Sequence, residues 1–484
     1  MEVVATSFLA ILVIVVLAVQ GPLRGFWIFL AATALGAAAA FNMPALGGAS
    51  ILVADLGALT IFMMVALHSG GLALIVGTMR PGQPGFWLIL LVVFGLFATL
   101  FFPALFRGQT EVFSLSRDLD GGGIVRSKLR PSTGNLTQLF RLILGGAIFF
   151  ATATVFRVRP DARIALIAVA ITTGFNAALG WLDVLTYAIG LPEALDILRS
   201  ANYSMLDAAT MGGIKRMVGA FPEASTYGYF SLGLFGFWLR FWFSQPKSLL
   251  GRVMLALATV AVLRSTSSAA YVAFVAYVVT VTLGLALVGA RQQVNRHSVS
   301  IALSFVMAAW LSVIVVVVSY ELVTPIRDFF DTTLFDKLEG DSGVERMSWN
   351  AQAFLNFAET YGLGAGLGSV RGSSWLMATL ASIGVIGTAL YLMFIGSVLF
   401  NREARHGGGE RASVIRALRS GALALLISSL LTGATPDLGL IFFAFLGLAT
   451  GLARGAQLER GDEPNQFWPS TAISRNNPPP SARL

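Results

Sequence analysis

Lys215-Arg216-Met217-Val218-Gly219-Ala220-Phe221-Pro222-Glu223-Ala224-Ser225 places two cations and a carboxylate directly before an apolar run. Ionised side chains at the start of a hydrophobic helix are costly unless they face water, a partner or a substrate. A guanidinium is planar, always charged and able to hold two oxygens at once, which suits Arg216 to a phosphate. Snorkelling to lipid headgroups is the other use of a single interfacial arginine. Gly219 and Pro222 imply a tight backbone between the cations and Glu223. The dipole at a helix N-terminus stabilises a carboxylate, so Glu223 reads as a cap or as a catalytic group.

Two further stretches carry chemistry-bearing residues. Arg264 follows Val262-Leu263 and precedes Ser265-Thr266-Ser267-Ser268, between two short apolar runs. Those hydroxyls can bond freed backbone groups or a ligand oxygen, and an arginine at that depth asks for an anionic partner. The segment 320–375 is too polar to span a bilayer. It runs from acidic residues between Glu321 and Glu345 to Arg346-Met347-Ser348-Trp349-Asn350, with Phe354, Phe357 and Tyr361 at roughly helical spacing. That aromatic stripe reads as packing against a neighbouring helix before it reads as a sugar platform. Gly362, Gly364, Gly366, Gly368 and Gly372, with Arg371 and Ser373 among them, predict a backbone that approaches a ligand closely. No Gly-Lys-Ser/Thr follows and no strand precedes, so this is not a nucleotide-binding loop.

These residues must be positioned by membrane helices. Of 484 residues, 56% are hydrophobic and only 12% charged, against about 25% charged in soluble domains. The mean hydropathy is +0.76. The predicted class is therefore an all-α polytopic membrane protein. The net charge of +8 comes largely from arginines in short loops between apolar runs, as topology requires, and does not imply nucleic-acid binding. With no cysteine there is no thiolate and no disulfide. His68, His297 and His406 are far apart in sequence, so neither a metal nor another cofactor is expected.

Apolar runs at 3–19, 26–41, 51–67, 86–105, 138–156, 164–180, 225–243, 250–263, 268–289, 299–319, 376–399, 418–433 and 438–453 predict about 12–13 transmembrane helices. The first run lacks a basic flank and a cleavage site, so it is read as a retained helix. Residues 1–453 form one transmembrane domain and 454–484 a disordered cytoplasmic tail. The basic loops at Arg157–Arg163, Lys247–Arg252, Arg291–Arg296 and Arg402–Arg419 belong inside, which leaves 182–224, 264–267 and 320–375 outside. Loop 107–136, with Arg107, Arg117, Arg126, Lys128 and Arg130, falls outside despite its charge. It implies a miscounted helix, a solvated loop or a basic surface with a purpose.

Arg216-Met-Val-Gly-Ala-Phe-Pro-Glu-Ala-Ser entering a helix, Leu263-Arg264-Ser265 opening another, and Arg346 with Trp349 followed by Gly364-Ala-Gly366-Leu-Gly368 and Leu380-Ala-Ser-Ile-Gly384-Val-Ile-Gly387 resemble, in order and spacing, the landmarks of the bacterial O-antigen polymerase and ligase superfamily. The matched stretch runs from about Ala201 to Ile395. The resemblance implies a membrane glycosyltransferase of C-type, mostly helical fold, at the periplasmic face of a bacterial inner membrane. Its donor and acceptor would be undecaprenyl-diphosphate-linked oligosaccharides, with membrane lipid and a chain-length regulator as partners. Arg216, Arg264 and Arg346 would handle the diphosphate, with Lys215, Gly219, Ser265, Gly366, Gly368, Arg371 and Ser373 lining the substrate. Ligases carry a histidine where Ser373-Ser374 stand here, which favours a polymerase of exopolysaccharide or O-antigen over a ligase. A flippase of lipid-linked glycans is the alternative from another class. No metal is needed, because diphosphate is already a good leaving group. A preorganised donor is worth about 3–4 kcal/mol and a general base about 10²–10⁴-fold. Glu223 is the first candidate base and an acid of the Asp341–Glu345 cluster the second.

Overall fold

The computed structural model describes residues 1–44, 48–116, 123–208, 210–211, 214–291, 341–401 and 409–460. The apolar run 299–319, the acidic stretch 321–339, His297, the loop 402–408 with His406, and the tail 461–484 lie outside the described residues.

Helix dominates because, in hydrocarbon, each backbone N–H and C=O must find its partner within its own segment. The helices are α1 (Ser7–Arg24), α2 (Phe26–Ala32), α3 (Val53–Leu67), α4 (Gly71–Thr78), α5 (Pro84–Leu105), α6 (Thr133–Val158) and α7 (Ala162–Ala188). They continue with α8 (Ala224–Ser244), α9 (Leu249–Arg264), α10 (Ser268–Arg291), α11 (Asp341–Glu359), α12 (Trp375–Leu399), α13 (Gly409–Thr432) and α14 (Leu440–Arg460). Short strands ornament the connections. β1 (Glu2–Val3), β2 (Ala39–Met43) and β3 (Ala49–Leu52) make one antiparallel sheet in that order. β4 (Glu111–Ser116) pairs with β5 (Gly123–Lys128), and β6 (Thr210–Met211) with β7 (Ile214–Lys215).

Seven described helices are long and apolar enough to cross a membrane, or up to eight if α3 and α4, bent by 110°, count as one broken span. The sequence predicted 12–13. The run 26–41 is only the seven residues of α2 before the chain turns into β2. The run 250–263 is the 16-residue α9, too short for a straight span. α8 is long enough, but its serine, tyrosine, glycine and Arg240 dilute its hydropathy. Its Phe237 and Trp238 are fully buried, so it belongs to the interior of the bundle. The expected tail boundary also moves. α14 continues to Arg460, where Arg411 Nη1 meets Glu459 Oε2 at 2.6 Å.

Close helix packing rests on small residues, as it must where lipid is as apolar as leucine. On α14, Gly447, Gly451 and Gly455 recur every fourth position. A Cβ on them would lie 2.0 Å from Thr152 Oγ1, 2.7 Å from Ala153 O and 2.6 Å from Pro160 Cβ, so α14 nests on α6 backbone to backbone.

α12 is not a straight rod. Trp375 and Tyr391 have ring centroids 5.2 Å apart, whereas sixteen residues of straight helix separate Cα atoms by about 24 Å. The helix folds at Gly384, whose φ of 63° and ψ of −165° are non-helical. Folding frees backbone groups in the middle of a membrane protein, and the glycine-rich segment 362–366 takes them up. Ala365 N and Gly366 N donate to Ala381 O and Ser382 O, each at 2.8 Å, and Val385 N donates to Gly362 O at 3.0 Å.

One end of the bundle gathers the connections that matter below. Met217 N donates to Arg264 O, Arg371 N to Phe113 O and Gly372 N to Ala434 O, each at 3.2 Å. The described part of loop 107–136 therefore lies at this end, and its Arg126 Nε is neutralised by Glu111 Oε2 at 2.6 Å. The opposite end carries Arg157, Arg159, Arg163, Lys247, Arg252, Arg411 and Arg416.

Candidate active site

The Lys215–Glu223 loop is pinned by a carboxylate on the preceding helix. Asp183, in the last turns of α7, is 2% exposed. Its Oδ2 accepts from Val218 N at 2.9 Å and Gly219 N at 3.3 Å. Its Oδ1 accepts from Arg199 Nη2 at 2.6 Å. Arg199 in turn reaches Asp207 Oδ2 at 2.7 Å and donates to Gly219 O through Nε at 3.1 Å and Nη2 at 2.8 Å. Gly219 has φ +59°, and a Cβ there would lie 3.2 Å from the Tyr227 ring. Its part is to turn the loop over this buried node. Lys215 belongs to the same node. Nζ meets Asp183 Oδ2 at 3.2 Å and donates to Asp207 O at 2.5 Å. Burial lowers the pKa of its ammonium, while the Asp183 charge and hydrogen bond raise it. The structure thus gives Lys215 internal partners.

Arg216 points away from that node. It is half-buried, and its Nε has no hydrogen-bond partner. Burial lowers its pKa, with the Glu223 carboxylate and then Tyr271 opposing. Glu223 is the N-cap residue of α8, but it makes no side-chain cap bond. Its Oε1 accepts instead from Ser225 Oγ at 2.5 Å and Thr226 Oγ1 at 3.3 Å. From α9 comes Arg264, its carbonyl tied to the Arg216 loop through Met217 N. Tyr271, whose hydroxyl donates to Leu263 O at 2.7 Å, feels the charge of both Arg264 and Arg216. Ser265 is fully buried and donates to Val262 O at 2.7 Å, so it caps α9.

The third guanidinium is Arg371. Burial lowers its pKa and Glu223 opposes, so Arg371 and Arg216 share one carboxylate. Its Nε also lacks a hydrogen-bond partner. Among the described residues none of Arg216, Arg264 and Arg371 makes an ion pair; Arg216 and Arg371 share the Glu223 carboxylate, and Arg264 lies with Arg216 at Tyr271. A buried unpaired guanidinium is expensive. Arg216 and Arg371 leave one positive charge in excess of Glu223, Arg264 adds another near Tyr271, and the two unpartnered Nε atoms meet no described acceptor, a cradle suited to an anion.

The remaining expected residues fall into two groups. Gly366 and Gly368 serve the fold of α12. A Cβ on Gly366 would lie 2.7 Å from Pro103 Cδ and one on Gly368 2.2 Å from Gly134 O, so protein fills the space a ligand was expected to take. Asn135 clamps the same strap through Nδ2 to Leu367 O at 2.6 Å and Ser369 Oγ at 2.8 Å. Ser373 N donates to Asn350 Oδ1 at 2.7 Å, which docks α11 beside Arg371. Arg346 stands exposed one turn before Asn350 on that helix, hence on the same face. Among the described residues no contact joins Arg346 to Glu223, whereas Arg371 feels the Glu223 charge. The Asp341–Glu345 side chains lie outside the described residues.

Sequence reasoning missed Asp183, Arg199 and Tyr271. Asp183 gave a signal, as the lone acid in the run Ala162–Ala188. Among the described residues no group of three or more histidine, aspartate and glutamate side chains is arranged to hold a metal ion. Comparison with protein-family models, with curated proteins and with solved structures finds no match to this chain.

Proposed function

We propose that the protein is a membrane glycosyltransferase that joins undecaprenyl-diphosphate-linked oligosaccharide repeat units into exopolysaccharide or O-antigen. The observation that carries this reading is the meeting of Arg216 and Arg371 at the Glu223 carboxylate, both with Nε unpartnered, and of Arg264 with Arg216 at Tyr271. The sequence motifs around Arg216, Arg264 and Gly364–Gly387 supply the substrate class. The lysines and arginines at the opposite end of the bundle support a periplasmic position for the cradle and an inner-membrane location.

In this reading the donor's diphosphate rests between the three guanidiniums, which stabilise the charge that develops as the glycosidic C–O bond to phosphate breaks. Each such donor is worth about 3 kcal/mol of barrier when it is preorganised and shielded from water. The Asp183–Arg199 node holds the loop carrying Arg216, so little reorganisation is needed when the charge appears. Glu223 offsets the mutual repulsion of Arg216 and Arg371 until the dianion arrives.

The test is reconstitution in proteoliposomes with a lipid-diphosphate-linked repeat unit and no nucleotide sugar. A ladder of longer lipid-linked glycans is the expected result. A single transfer to a different lipid acceptor would identify a ligase instead. Passage of the glycan between leaflets at constant length would identify a flippase.

A further inference from the structure

A second polar site lies beside the arginine cradle and carries the opposite charge. The connection between α13 and α14 holds Asp437, whose Oδ1 accepts from Gly439 N at 2.8 Å. Asp437 lines a cavity with Gln138, Tyr391 and Pro436, walled on its apolar side by Leu142 and Ile383. There is room for one water-sized group, and such a guest needs two to four polar partners. The partners are present. Tyr391 is 1% exposed and its hydroxyl has no hydrogen-bond partner. Among the described residues the Gln138 amide and the second Asp437 oxygen are also without one.

The charge of this site selects its ligand. Asp55, Arg141, Tyr229 and Tyr391 are the titratable groups that feel Asp437. Arg141 is engaged by Asp55 Oδ1 at 3.3 Å and by the Tyr203 hydroxyl at 3.1 Å. Two carboxylates against one guanidinium leave one negative charge, which repels a phosphate. A carboxylate oxygen, a phenol and an amide around a single space instead match a neutral hydroxyl, which both donates and accepts.

Position ties this cavity to the cradle. Gly372 N donates to Ala434 O at 3.2 Å, and Trp375 Nε1 to Pro436 O at 3.0 Å. Those bonds keep the Cα atoms of Arg371 and Asp437 within about 18 Å of each other by chain geometry. An arginine side chain, a phosphate, an anomeric carbon and an attacking hydroxyl in line need a span of that order.

Resting on the function proposed above, we propose that the Asp437–Tyr391–Gln138 cavity receives the acceptor sugar's attacking hydroxyl and that Asp437 takes its proton. The hydroxyl oxygen forms the new bond to the donor's anomeric carbon. The bond from that carbon to the phosphate oxygen breaks, its electron pair leaves with the diphosphate, and Arg216, Arg264 and Arg371 hold the product. The proton on Asp437 then passes to external water. Glu223, hydrogen-bonded by Ser225 and Thr226 and shared by two arginines, serves the diphosphate end.

The test uses the full chain in proteoliposomes with lipid-diphosphate-linked repeat units, comparing wild type with Asp437→Asn, Asp437→Glu, Tyr391→Phe and Glu223→Gln. Asp437→Asn is expected to lower turnover at saturating substrate by about 10²-fold or more while donor binding stays near wild type. Asp437→Glu recovers part of that loss. Tyr391→Phe raises the acceptor KM more than it lowers kcat, and Glu223→Gln, which removes the anion competing with the diphosphate for Arg216 and Arg371, tightens donor binding. The inference is overturned if Asp437→Asn turns over like wild type, or loses turnover only together with donor binding or folded yield, as a residue holding a structural water would. Wild type making no ladder would instead remove the polymerase reading itself.

Discussion

At the scale of single residues, the protein separates arginines that hold the fold from arginines that wait for a ligand. Arg199 is 7% exposed and satisfied by Asp183, Asp207 and Gly219. Arg216 and Arg371 are partly buried with Nε unpartnered. The two kinds should fail differently. Asp183→Asn leaves Lys215 buried without its carboxylate and Arg199 with only the more exposed Asp207 and Asp196, and removing one partner of a buried pair costs about 3–5 kcal/mol. A large fall in the thermal unfolding midpoint in detergent, with loss of folded yield, is the expected outcome. Arg216→Ala and Arg371→Ala remove a charge that nothing in the protein needs as a partner except Glu223. Their unfolding midpoints should stay near wild type while polymer output falls by about 10²-fold or more. Lysine at either position should restore little, because a point charge does not reproduce the two-pronged grip of a guanidinium. Equal destabilisation of the Asp183 and Arg216 variants would contradict this division.

At the scale of elements, the glycines were the informative residues and also the misleading ones. Their alternation in 362–368 was legible as a demand for close approach, but sequence does not name the approaching group. At Gly364 it is the backbone of α12 where that helix folds; at Gly366 and Gly368 it is Pro103 of α5 and the α6 backbone at Gly134. Gly384 has φ +63°, and a Cβ would lie 2.3 Å from Gly362 O. Gly364 has φ +88°, and a Cβ would lie 2.6 Å from Gly384 N. Alanine at either site meets backbone, which cannot step aside, and takes up a conformation L-residues avoid. Gly384→Ala and Gly364→Ala should each reduce the folded fraction severely, whereas Gly174→Ala, in helical backbone with nothing within 4 Å, should change the unfolding midpoint little. Fluorescence-detected size exclusion of the three variants checks this. The same folding explains why an apolar run at 376–399 looked like one straight span. Hydropathy counts residues and is blind to a break that another loop repairs.

At the scale of the whole molecule, topology was legible because charge and apolar length act over many residues at once. The order of the described helices follows the apolar runs, and the connections at Arg157–Arg163, Lys247–Arg252 and Arg411–Arg416 share one end, while the basic residues Arg107, Arg126, Lys128 and Arg130 lie at the other. What sequence could not separate were spans from buried helices, since α8 and α2 are apolar for the sake of the bundle rather than the lipid. Nor could it show which distant arginines meet. Arg346 and Arg371 both sit in the polar segment after α10, and only the strap docking on α12 decides that Arg371 faces Glu223. The chain contains no cysteine, so orientation can be checked directly. Single cysteines at exposed Glu193, on the cradle end, and exposed Lys247, on the opposite end, should react with an impermeant maleimide from outside and only after membrane rupture, respectively. The reverse pattern would place the cradle in the cytosol and remove lipid-linked periplasmic substrates from consideration.

The doubled-back course of α12 also constrains biogenesis. A segment whose two arms lean on one another cannot settle in the bilayer as an independent rod released sideways from the translocon. Its strap needs Pro103 and Gly134 already in place, and both precede it in synthesis by more than two hundred residues. In the proposed function Arg216 and Arg264 would thus be made early and stand as a half-built clamp, to be completed by Arg371 in the last third of the chain. A nascent chain arrested before Trp375 would insert and yet grip nothing.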